Sequence, residues 1–383
     1  MNLLRDSAKR RYYAPVVVCL LLIVALLFLP TGYEGAVNYQ GTDRCAARVL
    51  AADNSAIVDT GLVRSGEQTC TLELLGGRFK GQITEGYNLL NGSLEQDKIF
   101  APGDKALVVI SYQGDEILSI NMMDHYRLTK EAVLAVLFAA FLIFFAGRTG
   151  IRAIASFVLT VLMLWKVLVP LYLKGHNPIF TGLAVTLILT LLIIALVYGF
   201  DRRCAAAVSG AFLGVLVTCV LGILFTDLFQ IHGAVMSYSE SLLYSGYQDL
   251  NLTRIFMSSI FIGSSGAVMD LAVDICSAVN EVVEKKPGIG KWEAVRSGMN
   301  VGRAAMGTMT TTLLLAYSGG YVALLMVFMA QGTPIWNILN YKYVASEIIH
   351  TVVGSFGLVT VAPFTALTAG MLLAGRQKAA AAK

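Results

Sequence analysis

Two aspartates on one apolar stretch are the side chains of this sequence best placed to do chemistry. Asp270 and Asp274 are followed at helical spacing by Ser277 and Glu281, so a helix places all four on one face. A carboxylate near the centre of a bilayer costs roughly 2.5 to 3.5 kcal/mol on insertion scales. We therefore expect this acidic face to lie in a bundle interior, where its carboxyl groups could exchange protons or ions.

The next apolar stretch supplies groups that could accompany these carboxylates. It begins with Asn300 and Arg303. Hydroxyl groups that could line the same interior follow at Thr308, Thr311 and Thr312. Asp274 and Arg303 fall at similar depths, which predicts an ion pair, and Asp270 is left as the candidate for proton exchange. The alternative for Asp270 is a structural carboxyl that closes the helix interface against the threonines.

A third polar set lies on the last apolar stretch. Glu347 and His350 are three residues apart there, and Ser355 follows on the same helical face. This spacing could present a proton relay or two metal ligands. Because no second such pair occurs, an interfacial hydrogen bond is favoured over a metal site. The sequence also lacks a glycine-rich phosphate loop and a nucleophile paired with a base, so we predict no enzyme, no metal and no cofactor.

The composition indicates which elements must position these residues. Of 383 residues, 56% are hydrophobic and only 14% are charged, against roughly one quarter charged in soluble domains. Apolar runs of a length that can cross a bilayer cover residues 14–29, 131–147, 152–173, 178–199, 205–229, 254–279, 301–329 and 344–373. We predict an α-helical polytopic membrane protein with about eight transmembrane helices. Its lysines and arginines are scattered at helix ends, which excludes a nucleic-acid partner.

Residues 31–128 differ in composition from the rest of the chain. Short alternating runs are separated there by turn signals such as Asn91-Gly92 and Gly114-Asp115, which predicts a small all-β, barrel-like domain between helices one and two, possibly of the oligonucleotide/oligosaccharide-binding type. Cys45 and Cys70 both fall in this segment. A disulfide and two reduced buried thiols are equally compatible with the sequence.

The positions of lysine and arginine orient the predicted helices. Basic residues precede the first apolar run and follow the last one, and arginine pairs occupy two short loops near residues 148–152 and 202–203. The positive-inside rule then predicts cytoplasmic termini and an extracytoplasmic segment 31–128. The predicted parts are 1–30 (cytoplasmic N-terminus and first helix), 31–128, a bundle over 129–375 with an outer-face interfacial segment near 230–252, and a cytoplasmic tail 376–383.

Several polar motifs inside the apolar stretches also occur together in one known family. The motifs are Gly266–Ala272, Ser297–Arg303, Met306–Met309, Glu347–Ile349 and Gly354–Leu358. In this order they closely resemble the YibE/F-like membrane protein family, over about residues 130–380. The segment 31–128 makes the chain similar to the larger, YibE-type members. The resemblance implies a multi-span protein of a bacterial cell membrane, sometimes encoded beside a smaller YibF-type relative.

Two functional hypotheses of different classes follow. The first is a proton- or ion-coupled transporter or export component of unknown substrate, in which Asp270 exchanges the coupling ion. The second is a non-transporting membrane scaffold or assembly factor, in which the external β domain binds a partner and the intramembrane polar residues serve helix packing. For either hypothesis, we expect contact with the lipid bilayer and with a second copy or a related YibF-type subunit.

Overall fold

The computed structural model describes residues 7–33 and 41–374. These residues form two compact units. One unit comprises residues 33–145, and the other combines residues before position 33 with those from position 146 onward.

The smaller unit contains a six-stranded sheet whose main strands close into a barrel. The strands are β1 (Thr42–Asp53), β2 (Ile57–Asp59), β3 (Arg64–Leu74), β4 (Ile83–Asn91), β5 (Lys105–Gln113) and β6 (Glu116–His125). Their order is β1-β5-β6-β4-β3-β2, and β1 also pairs with β3, so five strands form a closed ring and β2 extends one edge. The only parallel pairing among the described strands joins β4 to β6. The prediction of a small β-barrel is confirmed.

Alternation of side chains explains how these strands form a barrel. On β3 the side chains of Cys70, Leu72 and Leu74 point inward and are buried, whereas their neighbours are partly exposed. The turns between strands depend on glycine: Gly103 and Gly114 have φ angles of 95° and 60°, which other residues adopt at a cost. The turn signals in the sequence therefore mark the real strand ends.

A buried polar pair fastens the long loop between β4 and β5 to the barrel. Gln68 and Asn88 are both completely buried. Gln68 Nε2 donates to the Phe100 carbonyl oxygen at 2.8 Å, and Gln68 Oε1 accepts from the Phe100 amide at 3.0 Å. Asn88 Nδ2 donates to the Lys98 carbonyl oxygen at 2.7 Å and lies 3.1 Å from Gln68 Oε1. The loop backbone is held by side chains that have left water, which makes each bond costly to lose.

Cys45 and Cys70 do not form the disulfide that the sequence allows. Both residues are free and buried in the barrel core. The register explains their separation: Cys70 lies opposite Ala52 on β1, and Cys45 is seven residues earlier on that strand. At about 3.3 Å per residue this offset far exceeds the reach of a disulfide. Burial instead raises the pKa of both thiols, that of Cys70 to about 11.

Outside the barrel, most of the described residues are helical. The helices are α1 (Ser7–Phe28), α2 (Leu128–Met163), α3 (Val169–Leu173), α4 (Pro178–Tyr198), α5 (Arg202–Leu228), α6 (Ser239–Tyr244), α7 (Leu252–Lys285), α8 (Lys291–Ser318), α9 (Val322–Ala330), α10 (Ile335–Leu339) and α11 (Lys342–Leu373). A π-helical turn joins α2 to α3, and Gly147 interrupts α2 with φ 54°. Seven helical segments of the described chain are long and apolar enough to cross a membrane. Residues 230–252, predicted to be an interfacial segment, hold only short helical pieces such as α6.

Local signals set where two of the long helices begin. Asn177 Oδ1 accepts from the Ile179 amide at 3.1 Å, and Pro178 occupies the first helical position of α4. Asn251 Oδ1 accepts from the Arg254 amide at 2.9 Å at the start of α7. Helix α8 begins at Lys291, in the connection that follows α7, and runs without a break to Ser318.

Helix α7 is the centre of the larger unit and packs against α4, α5, α8 and α11. Its apolar face, with Val268, Leu271, Ile275 and Val279, is completely buried. Small residues bring the neighbouring helices close: a Cβ added at Gly357 of α11 would lie 1.9 Å from Thr218 Oγ1 of α5. Close backbone approach thus replaces long side chains in this bundle.

We predict that Gln68→Ala loosens the loop between β4 and β5. The Phe100 amide and the Asn88 side chain would each lose a buried partner, at about 1–3 kcal/mol apiece. Hydrogen exchange of the full-length protein should show the Phe100 amide exchanging at least tenfold faster. Gln113→Ala, which changes an exposed glutamine of the same barrel, should leave this rate unchanged. Equal exchange in the two variants would refute the proposed fastening.

We also predict a pH dependence that belongs to Cys70. Its thiol stays protonated in the folded barrel, where the pKa is about 11, and ionises near pH 9 when unfolded, so the free energy of unfolding falls as the pH rises through this window. The loss between pH 8 and pH 10 should be about 1 kcal/mol. Unfolding of the barrel in urea, detected by brief proteolysis of the unfolded fraction, measures this loss of free energy. In Cys70→Val the part of the loss that is due to the Cys70 thiol should be absent. An identical pH slope in the variant would contradict the assignment.

Candidate functional site

A buried polar cluster forms where α11 passes the end of α8 and the beginning of α7. We call it the Glu347 cluster, and it consists of Glu347, His350 and Thr351 on α11, Tyr317 on α8 and Ser259 on α7. The three residues of α11 lie within about one helical turn, which places them on one side of that helix. The structure thus brings the predicted pair Glu347 and His350 together with partners from two further helices.

His350 is fixed in place by contacts on both sides of its ring. Its Nε2 lies 3.3 Å from Ser259 Oγ, and its ring meets Phe256 and Tyr317 edge-on, at centroid distances of 5.0 and 5.8 Å. Ser259 donates its only hydroxyl hydrogen to the Phe256 carbonyl oxygen at 2.7 Å. Its oxygen therefore accepts from His350, which assigns the proton to Nε2 and leaves Nδ1 as an acceptor in the neutral ring.

Three polar atoms of the Glu347 cluster are buried without a hydrogen-bond partner in the described chain. They are Oε1 of Glu347, the hydroxyl of Tyr317 and the hydroxyl of Thr351. The Glu347 carboxylate also lies close enough to interact with the Thr351 hydroxyl of its own helix and with Tyr317 and Tyr321. Buried polar groups are nearly always paired in folded proteins. A cluster of unpaired oxygen atoms beside a carboxylate is therefore suited to take up a proton or a small cation.

The acidic face of α7 does not lie inside the bundle of its own chain. Asp270 and Asp274 are exposed, as are Ser277 and Glu281 on the same stripe. Our expectation of a bundle interior is therefore wrong for the single chain. The physical reason is that the opposite face, which carries Val268, Leu271, Ile275 and Val279 with small residues between them, packs closely against α5 and α11, so α7 turns its carboxylates outward.

The predicted ion pair between Asp274 and Arg303 is not formed. Neither side chain has an ion partner among the described residues, and both are exposed. The two helices touch on their buried sides instead, since Ile275 would lie 3.1 Å from a Cβ at Gly302. Each charged residue is adjacent in sequence to one of these contacts and is rotated about 100° away from it. Asn300 is exposed beside Arg303.

The predicted hydroxyl lining is turned back onto its own helices. Thr308 donates to the Ala305 carbonyl oxygen at 3.1 Å, and Thr312 donates to that of Thr308 at 3.0 Å. The hydroxyls of the remaining two residues behave in the same way: Thr311 to Gly307 at 3.4 Å and Ser355 to Thr351 at 2.7 Å. Such bonds satisfy the hydroxyl within one helix. The contact expected between Asp270 and these threonines is absent from the described chain.

The sequence reasoning missed two members of the Glu347 cluster. Tyr317 follows the threonine run near the end of α8, where an aromatic residue is typical of a membrane interface. The sequence therefore does not mark it as part of a buried cluster. Ser259 was one of several serines on α7. The sequence position of Tyr317 shows one feature, which is that Gly319 and Gly320 follow it and predict the end of the helix there.

The comparison with known proteins bears on this part of the chain. The family model described as YibE/F-like protein matches residues 134–375. The chain belongs to the YibE/F-like family. This confirms the resemblance found in the sequence motifs, and no curated protein or solved structure matches the chain significantly.

All members of the Glu347 cluster lie in the part that this YibE/F-like protein shares with its family, whereas the barrel lies outside it. Within the described residues, no group of three or more His, Cys, Asp and Glu side chains lies close enough to hold a metal ion. The site itself presents a carboxylate, an imidazole and the hydroxyls of Tyr317 and Thr351.

We predict that Tyr317→Phe preserves or raises the thermal stability of the detergent-purified protein. The hydroxyl that it removes is buried and unpaired, so its loss relieves a desolvation cost of about 1–3 kcal/mol. Tyr172→Phe is the matched control, because the Tyr172 hydroxyl lies 2.8 Å from Ser258 Oγ and 3.1 Å from the Pro178 carbonyl oxygen. That variant should melt at a lower temperature. Equal destabilisation by both substitutions would show that Tyr317 has a partner.

Proposed function

We propose that this YibE/F-like protein is a proton- or ion-coupled membrane transporter or export component, with the Glu347 cluster as the site that binds the coupling ion. One observation carries the proposal: Oε1 of Glu347 is buried without a hydrogen-bond partner, near the His350 imidazole and the unpaired hydroxyl of Tyr317. A buried carboxylate of this kind lowers its free energy by binding a cation or a proton, because either one neutralises its charge.

The proposal includes a placement in a bacterial cell membrane. The apolar helical segments support it, and division of α2 at Gly147 would raise their number to eight spans. With this number, both termini are cytoplasmic and the barrel is extracytoplasmic, in line with the distribution of arginine and lysine. The Glu347 cluster then lies in the outer half of the membrane, because Glu347 is about 8 Å from the beginning of α11. We propose no enzymatic activity, no cofactor and no nucleic-acid partner.

In the coupling step, Glu347 would bind and release one proton or one ion. His350 is held by Ser259 through Nε2, so Nδ1 is the atom free to accept a proton from a neighbouring carboxyl group. Two helices besides α11 contribute to the cluster, and a change of charge at Glu347 alters the electrostatic balance among all three. Asp270, Asp274, Asn300 and Arg303, on the inner half, remain candidates for a second coupling position.

The rival hypothesis is a scaffold whose external barrel binds a partner. A cleft of about 330 Å³ near the β2–β3 turn supports it, lined by charged residues including Asp59, Arg64 and Asp97. These side chains are engaged within the barrel, however: Asp59 accepts from Arg64 Nε at 2.7 Å, and Asp97 accepts from the amide of Ser93 at 2.8 Å. The scaffold hypothesis therefore has weaker support than the transporter hypothesis.

We predict that Glu347→Gln removes a titrating carboxyl group and stops coupled flux. Infrared difference spectra of the reconstituted protein at two pH values should contain a protonated-carboxyl band that the variant lacks. Proteoliposomes loaded with a pH-sensitive dye and given a sodium or potassium gradient should show an internal pH change, slowed at least tenfold by the substitution. Glu284→Gln, an exposed glutamate of α7, is the matched control and should retain both signals.

Two outcomes would refute this assignment. The site is wrong if the band and the flux persist in Glu347→Gln at the wild-type level. The transporter hypothesis itself loses its support if no cation gradient moves protons and no carboxyl titrates in the wild-type protein. A cellular phenotype that survives Glu347→Gln but disappears when residues 42–125 are replaced by a short linker would favour the scaffold hypothesis.

A further inference from the structure

A cleft opens between α4, α5 and α7, at the end of the bundle where α4 and α7 begin and α5 ends. We call it the α4–α5–α7 cleft. Its volume is about 540 Å³, which lies within the range of sites that hold small molecules. All three helices belong to one compact unit. The cleft is distinct from the Glu347 cluster, because no member of that cluster lines it.

Two side chains of opposite charge, Asp227 on α5 and Arg254 on α7, line this cleft and are exposed. Neither of them forms an ion pair within the described chain. A Cβ added at Gly222 of α5 would lie 3.5 Å from Ile260 of α7, so these two residues mark a common level. Both charges lie about 8 to 9 Å from that level, toward the same end of the bundle. The cleft therefore presents a carboxylate and a guanidinium at one height.

The remainder of the cleft is mainly apolar. Leu183 of α4, Ile223 of α5 and Met257 of α7 line its walls. Its lining reaches Cys219, which is buried and lies about 14 Å from the end of α5. The cleft thus combines a charged mouth with an apolar interior, and this combination suits an amphiphilic ligand.

The depth of each part agrees with the layers of a bilayer. Helix α7 has 34 residues, about 51 Å, so a 30 Å hydrocarbon core centred on it leaves about 10 Å at each end. Arg254 is about 3 Å from the start of α7 and lies at the level of the headgroups. Helix α5 has 27 residues, and the same reasoning places Cys219 about 8 Å inside the core. The inference rests on the membrane placement in the proposed function, but it requires no transport activity.

We propose that the α4–α5–α7 cleft binds one phospholipid whose headgroup carries both a phosphate and a primary ammonium group. The phosphate binds the Arg254 guanidinium, which matches its geometry and charge. The ammonium donates to the Asp227 carboxylate, and an acyl chain occupies the apolar interior. A quaternary ammonium has no N–H to donate, and a headgroup that carries only negative charge leaves Asp227 facing another anion.

Cross-linking from photoreactive lipids tests the proposal on the full-length protein in phosphatidylcholine nanodiscs. Three trace probes carry the same diazirine on one acyl chain and differ in their headgroup, which is phosphoethanolamine, phosphocholine or phosphoglycerol. Mass spectrometry locates the cross-links. Peptides that contain Leu183, Ile223 and Met257 should be labelled roughly tenfold more by the ethanolamine probe than by the other two, because only this probe makes both charged contacts.

Two substitutions at the mouth of the cleft separate the two contacts. Arg254→Gln should remove the excess labelling by the ethanolamine probe, because the phosphate loses its cation. Asp227→Asn should make the ethanolamine and glycerol probes label the cleft equally, because the acid that attracts the ammonium and repels the second headgroup is gone. Both residues are exposed, so we expect both variants to fold.

The matched controls are Glu240→Gln and Lys342→Gln, which change exposed charges at the same end of the bundle but outside the cleft. Both should keep the wild-type ratio of labelling. Ile223→Trp fills the apolar interior without a change of charge and should abolish the excess labelling. The melting temperature of each variant in detergent separates loss of the lipid from loss of folding.

Several results would overturn the proposal. Equal labelling of the wild type by the three probes would show only the bulk lipid around the helices. Wild-type ratios in Arg254→Gln and Asp227→Asn would exclude the charged contacts. If soluble phosphoethanolamine displaces the ethanolamine probe as well as the unlabelled diacyl lipid does, the ligand is a zwitterionic solute.

Failure of the proposed function has a separate signature. Release of the protein from membranes by alkaline carbonate would overturn the membrane placement, and the lipid site with it. Absence of coupled flux together with the expected labelling would contradict transport and still support the lipid site.

Discussion

A polar group that leaves water must find a partner, and this requirement sorts the side chains of the protein into three environments. In the barrel, Gln68 and Asn88 are fully buried and their amide groups hold the backbone of a loop, although Asn88 Oδ1 itself has no partner. In the Glu347 cluster, three buried oxygen atoms have no hydrogen-bond partner within the described chain. On α7 and α8 the charges remain at the surface. The buried amides stabilise the barrel. The Glu347 cluster and the exposed charges can still bind a proton, an ion or another molecule.

The periodicity of α7 illustrates how far a sequence determines such an arrangement. It separates an acidic stripe from an apolar one correctly, because residues three and four apart share a helix face. It does not determine which stripe meets the rest of the same chain. The cost of exposing a carboxylate to lipid predicts that something shields it, but the shield need not be the chain's own bundle. Val268 and Leu271 fit the neighbouring helices, and this packing decides the rotation of α7.

Long-range pairing limited prediction elsewhere in the same way. Turn glycines such as Gly103 and Gly114 mark the barrel strands because the chain must adopt positive φ there. Closure by pairing β1 with β3 leaves no local trace, so neither the register nor the distance between Cys45 and Cys70 could be obtained from the sequence. In the bundle, Glu347 and His350 were found by their helical spacing. Tyr317 belongs to another helix, and only the tertiary structure shows that it joins them.

Helices α7 and α8 carry members of the Glu347 cluster near one end and exposed charges, Asp270, Asp274 and Arg303, farther along. On α7, Ser259 and Asp270 are about 16 Å apart, and on α8, Tyr317 and Arg303 are about 21 Å apart. A continuous helix transmits a rotation or a shift along its whole length, since its packed interior resists gradual deformation. A change of charge at Glu347 that displaces Ser259 or Tyr317 therefore also moves the carboxylates and the guanidinium on the outer surface. A molecule bound near these charges on either helix would in turn resist or favour that displacement.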